Sequence, residues 1–144
     1  MSNELTRKMT PAARAKPILV ETAPGELIDK ITILEIKMER ITDPAKLRNV
    51  HVELETLAAA RDQALEKSAE LTRLTADLKA VNEALWEIED DIRDYERNRD
   101  FGPRFIELAR SVYHQNDRRA VLKRQINELL GSKLIEEKSY KEYA

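Results

Sequence analysis

The sequence predicts an all-α protein: an elongated antiparallel four-helix bundle with a long helical hairpin. Three observations carry this. Residues 45–101 and 104–130 contain neither glycine nor proline, in a chain of which 36% is charged; long charged stretches free of breakers form helices. An apolar residue recurs every seventh position from Val50 through Leu57, Ala64, Leu71, Leu78 and Leu85 to Ile92, the beat by which helices pack on helices. Gly102-Pro103 separates the two stretches and predicts that the chain doubles back there.

The elements follow in order. Residues 1–17 carry Arg7, Lys8, Arg14 and Lys16 against one acid, Glu4, with Pro11 and Pro17 interrupting. They read as a flexible basic tail ahead of a single helical domain, residues 18–144. Ile18, Leu19 and Val20 form a short apolar lead-in expected to pack on the helices. The first helix begins at Pro24, a residue favoured in first turns, and Glu26 and Asp29 stand where the helix dipole favours acids. Its stripe is Leu27, Ile31, Leu34, Met38 and Ile41, widened by Ile28, Ile33 and Ile36 to more than one side. A helix apolar on several sides is flanked on several sides, so this one is expected at the centre.

Asp43-Pro44 supplies a cap and a first-turn proline for the second helix, which runs to about Glu66 with Leu47, Val50, Leu54 and Leu57 inward. One helix from 44 to 99 would keep the seven-residue beat in phase. The companion position, however, changes flank, from Leu47 and Leu54 ahead of the beat to Leu74, Val81, Ile88 and Tyr95 behind it. A seam that changes flank predicts two helices with different neighbours, a break near 66–69, and Ser68 as the cap of the second. The third helix spans about 70–99. The fourth runs from about 103 to Leu130 and stops at Gly131. Residues 132–144 are expected to dock as a short helix or to reach a partner subunit.

Composition narrows the chemistry. With no cysteine, disulfides, thiol catalysis and cysteine-based zinc sites are excluded. A net charge of -2 speaks against nucleic acid as a partner, and no apolar run spans a membrane. No apolar segment of a secretory signal follows Met1, so the cytoplasm is the default location. His51 and His114 lack the Glu-x-x-His pattern of helical di-iron sites; no metal and no cofactor is expected.

Charge is distributed in blocks. Between Glu83 and Asp100 stand eight acids and three arginines; between Arg104 and Arg124, six basic residues and two acids. Folded at 102–103, the two blocks face each other, and mutual pairing is the plainer account of both. In that hairpin Arg119 falls near Trp86, Asn116 near Glu89 and Lys123 near Asn82. The stripe of the fourth helix turns polar there, at Gln115 and Arg119. A polar layer in an apolar seam is a specificity device or a binding site. The candidate site is Trp86, Glu89, Arg110, Asn116, Arg118, Arg119 and Lys123, with Arg119 over Trp86 as a cation–π contact.

Three stretches carry a resemblance: residues 24–37 (PGELIDKITILEIK), residues 85–93 (LWEIEDDIR), and residues 105–113 (FIELARSVY) followed by Asn116-Asp117-Arg118-Arg119-Ala120. Together they resemble a bacterial family of small helical proteins of unknown function, over about residues 18–143. The resemblance implies no activity and carries over no catalytic residues. The expected function is a non-enzymatic helical scaffold or protein-interaction module, forming a homodimer and binding a protein partner through an apolar helix face. The alternative is a binding protein or enzyme for a small anionic metabolite, held in an Arg/Lys/Trp pocket between the third and fourth helices. Whether any reaction is catalysed stays open.

Overall fold

The computed structural model describes residues 14–144. They form α1 (Pro24–Arg40), α2 (Pro44–Ala64), α3 (Ala69–Arg97) and α4 (Pro103–Leu129). The architecture is all-α, as expected. The basic segment 1–17 lies outside the described residues up to 13; residues 14–17 are exposed and irregular.

Helix α1 is the central element, touching α2, α3 and α4. Its apolar residues Ile28, Ile31, Leu34 and Ile36 are all buried, because three helices cover it from different sides. Pro24 sits in its first turn, and Lys37 and Arg40 in its last, each where the helix ends favour them. The core proper is Ile28 from α1, Leu71, Leu74, Leu78, Val81 and Leu85 from α3, and Leu122 and Ile126 from α4.

The break before α3 is where the changing flank placed it. Leu65 leaves helical geometry, and the Ser68 hydroxyl accepts from the Leu71 amide at 3.1 Å. Asp43 caps α2 the same way, accepting from Lys46 at 3.0 Å. Helix α2 touches only α1 and buries none of its residues; Leu47, Val50, Leu54 and Leu57 are half-buried.

The two hairpin helices end by one device. At the end of α4, Ser132 donates to the Asn127 carbonyl and Gly131 to the Glu128 carbonyl, with Gly131 at φ 64°. At the end of α3, Asp100 donates to Tyr95 and Arg99 to Glu96, and the left-handed residue is Arg99, at φ 51°. Both are Schellman closures. The stop of α3 therefore precedes Gly102, which instead begins α4 with ordinary extended geometry. Phe101 and Phe105 meet edge to face across the turn, centroids 5.1 Å apart.

Three expectations are corrected. The acidic block of α3 and the basic block of α4 do not pair: among the described residues no ion pair joins the two helices. Asp94 pairs with Arg97 at 2.8 Å and Glu89 with Arg93, while Glu87 reaches Arg40 of α1 at 3.3 Å. Neighbours three or four residues along one helix are already within reach, and the seam between the hairpin helices is filled by apolar side chains. Second, Ile18, Leu19 and Val20 do not pack on the helices; they are 90%, 89% and 78% exposed, because α1 already has neighbours on its available sides. Third, of the two alternatives for residues 132–144, the short helix does not form. They lie along α4, tied by Glu137 to Arg124 at 3.3 Å.

Candidate functional site

A polar knot interrupts the core where α1, α3 and α4 meet. Asp29 sits one turn into α1 and is 5% exposed. Its carboxylate accepts from Asn82 Nδ2 of α3 at 2.9 Å and faces Arg119 Nε of α4 at 3.5 Å. Asn82 also donates to Thr32 Oγ1 at 3.0 Å, and Thr32 donates back to the Asp29 carbonyl at 2.7 Å. A buried carboxylate persists only when paired and hydrogen-bonded; here one residue from each of the other two helices supplies that.

One turn toward the N-terminus of α1 the helices come closer still. Gly25 donates its amide to Asn127 Oδ1 at 2.7 Å. A Cβ on Gly25 would stand 2.5 Å from the Lys123 carbonyl oxygen, so only glycine allows this approach. The Lys123 ammonium, with its side chain 7% exposed, lies 2.5 Å from Glu26 and 3.5 Å from Glu136. Glu26 Oε1 is buried and takes no well-angled hydrogen bond; the close ammonium supplies its compensation as an ion pair. Burial pushes the Glu136 carboxyl up, but Lys123 and Lys138 together outweigh this and hold it below the usual carboxylate range.

This knot has an open side. Between α4 and the C-terminal segment lies a cavity of 990 Å³. Val112, Tyr113, Asn116, Asp117, Arg119, Ala120 and Lys123 form its α4 wall; residues 138–144, except Ser139, form the other. Four cationic residues line it, Arg119, Lys123, Lys138 and Lys141, with the acids Asp117 and Glu142; the Lys123 ammonium itself is held by Glu26 and Glu136. Tyr143 fastens the outer wall. Its hydroxyl donates to Asp117 at 2.7 Å and lies 3.2 Å from His114 Nδ1. Its ring packs on Tyr113 and His114 at 5.1 and 5.0 Å. The hydrogen bond to Asp117, then burial and the Asp117 charge, push the Tyr143 hydroxyl above its ordinary value.

The structure brings Asn116, Arg119 and Lys123 of the expected site together on the α4 wall. Trp86, Glu89, Arg110 and Arg118 do not line the cavity. Trp86 is half-buried on α3, Arg110 and Arg118 are exposed, and Glu89 pairs with Arg93. Arg119 turns to Asp29, and the cation–π contact found among the described residues is Lys138 over Tyr140, 5.8 Å from the centroid. Asp29, Thr32, Gly25 and Asn127 are not among the residues of the expected site. Two of them left a trace: glycine is costly inside a helix unless a close approach requires it, and Asp29 is an acid flanked by the isoleucines at 28 and 31. Lys138, Lys141 and Tyr143 left none, because an irregular segment has no period.

A protein-family model described as a family of unknown function (DUF6165) matches residues 18–143. Neither the curated proteins nor the solved structures gave a match.

Proposed function

The chain belongs to this family of unknown function, and on that premise we propose that it is a non-enzymatic binding module. It holds the anionic group of a small ligand between α4 and the C-terminal segment. One observation carries the reading: Arg119 of α4 and Lys138 and Lys141 of the C-terminal segment line one 990 Å³ cavity that has tyrosines on its walls. Arg119 is the anchor. Asp29 engages its Nε from behind, which fixes the guanidinium and leaves its terminal nitrogens for a bidentate carboxylate or phosphate. Asn116 adds a donor beside it. Lys138 and Lys141 come from the segment that covers the cavity.

Thermal melting against a panel of carboxylated and phosphorylated compounds tests this. A binder present at about a hundred times its Kd stabilises the fold by roughly 3 kcal/mol. The expected result is an upward shift with at least one anion, lost in the Lys138→Ala, Lys141→Ala double variant, which keeps the ligand-free melting point. A panel without any shift sinks the reading.

A second reading is a helical interaction scaffold, a homodimer that also binds a protein partner. It is favoured by α2, which leans on α1 alone and leaves Val52 63% exposed. Among the described residues no helix is long and apolar enough to cross a membrane; a cytoplasmic setting belongs to both readings. Size-exclusion chromatography with light scattering checks it: a monomer that captures no defined partner is the result against it.

A further inference from the structure

We infer that two copies of this chain associate through the outer face of α2, antiparallel, about a two-fold axis at Val52. The inference rests on the scaffold reading and gives its interface a register. Ala45, Arg48, Val52, Glu55 and Ala59 follow one another at steps of three and four, so they share one face of the helix. All five are exposed. This face is opposite in character to the half-buried stripe Leu47, Val50, Leu54 and Leu57 that meets α1.

The face is small and apolar at three positions and charged at two. Ala45, Val52 and Ala59 are spaced by seven residues, the interval that keeps a seam on a facing helix, and alanine lets two helices approach closely. The charges show which way the second copy runs. Among the described residues Arg48 has no ion-pair partner, and Glu55 has only the imidazole of His51, at 3.2 Å. Laid antiparallel, Ala45 faces the partner's Ala59, and Val52 faces the partner's Val52. Arg48 stands four residues before the axis and Glu55 three after it, so each Arg48 meets the partner's Glu55, twice per dimer. Laid parallel, Arg48 would sit beside the partner's Arg48 and Glu55 beside the partner's Glu55, and like charges in register are repulsive. The 21 residues of α2 span roughly 30 Å at 1.5 Å per residue. One helix face of that length covers less than the roughly 800 Å² per partner of a standard stable interface. The dimer is therefore reversible and concentration-dependent, and high salt weakens it.

Charge reversal tests this in the full chain by sedimentation velocity over roughly a hundredfold range of concentration, since a reversible dimer reveals itself by mass action. Wild type shifts from monomer to dimer. Arg48→Glu alone and Glu55→Arg alone each raise the dimer Kd by about tenfold or more, through like-charge contact at two symmetric places. The double reversal, Arg48→Glu with Glu55→Arg, restores it. Circular dichroism of each variant matches wild type, because both side chains are exposed. Monomer at every concentration overturns the inference, and so does a dimer indifferent to the single reversals or broken by them without rescue in the double. A monomer that binds a different protein overturns the second copy as occupant while leaving the scaffold reading in place.

Discussion

Gly25 of α1 packs directly against the backbone of Lys123 in α4. The place where a Gly25 Cβ would stand is 2.5 Å from the Lys123 carbonyl oxygen. The contact joins the start of α1 to the last turns of α4, and two polar contacts accompany it. Lys123 reaches Glu26 from one side of it, and Asn127 accepts the Gly25 amide from the other. The spacing of these two helices therefore sets how deeply Lys123 and Arg119 stand behind the cavity.

Replacing Gly25 with alanine is expected to destabilise the fold by about 2 kcal/mol, the cost typical of overpacking a close-packed interior. The obstructing atom belongs to the backbone of α4, so no side-chain rotation relieves it. Asn127→Ala is expected to cost about 1 to 2 kcal/mol, by leaving a buried amide unsatisfied. Urea denaturation of both variants measures this. An unchanged midpoint in Gly25→Ala would show that the helices do not meet as described.

Arg99→Gly is expected to stabilise the protein. Arg99 closes α3 in left-handed geometry, which costs a side-chain-bearing residue about 1 to 2 kcal/mol, partly offset by the greater freedom of glycine in the unfolded chain. The net gain is about 0.5 to 1 kcal/mol. Arg99→Ala is the control: it removes the same side chain but keeps the Cβ, and shows no such gain. Equal melting points for the two variants would contradict the account.

The C-terminal segment is expected to loosen in base. Donation to Asp117 raises the folded-state value of the Tyr143 hydroxyl above its ordinary 10.0. A group so raised contributes stability that is fully present below pH 10.0 and lost as pH rises through the folded value. Limited proteolysis within residues 132–144 should therefore accelerate in strong base. In Tyr143→Phe the segment is already loose at neutral pH and cleavage shows no such step. A wild-type cleavage rate that stays flat through that range would remove Tyr143 as the fastening.

The order and ends of the helices were legible in the sequence because their determinants are local. Asp43 and Ser68 cap within three residues, and the flank change on either side of 66–69 reports different neighbours for α2 and α3. Arg99 was less legible: Gly102-Pro103 is the stronger breaker, yet α3 closes before it on a residue with no propensity for the left-handed region. The charge blocks misled for a physical reason. They lie on solvated flanks, where intrahelical partners are nearest, and not across the α3–α4 seam.

The site divided the same way. Arg119 stood out with Gln115 as a polar interruption of an apolar stripe, and Asn116 and Lys123 were drawn in as its neighbours along the same helix. Trp86 was the wrong partner for Arg119, because a buried carboxylate must be compensated, while an exposed cation–π contact is worth little by comparison. Asp29 was read from its place in the first turns as a helper of the helix dipole, and its burial comes from α3 and α4, which the local sequence does not describe.

The amino-acid order by itself determined four helices, their caps, the break at 66–69 and the reversal after α3, since each depends on residues a few positions apart. Only the tertiary structure decided which polar groups meet. The pairing of Asp29 with Arg119, the fit of Gly25 against Lys123 and the cavity closed by Tyr143 depend on how far each helix is rotated about its own axis. That rotation is fixed by packing between residues about a hundred positions apart, and no local pattern encodes it.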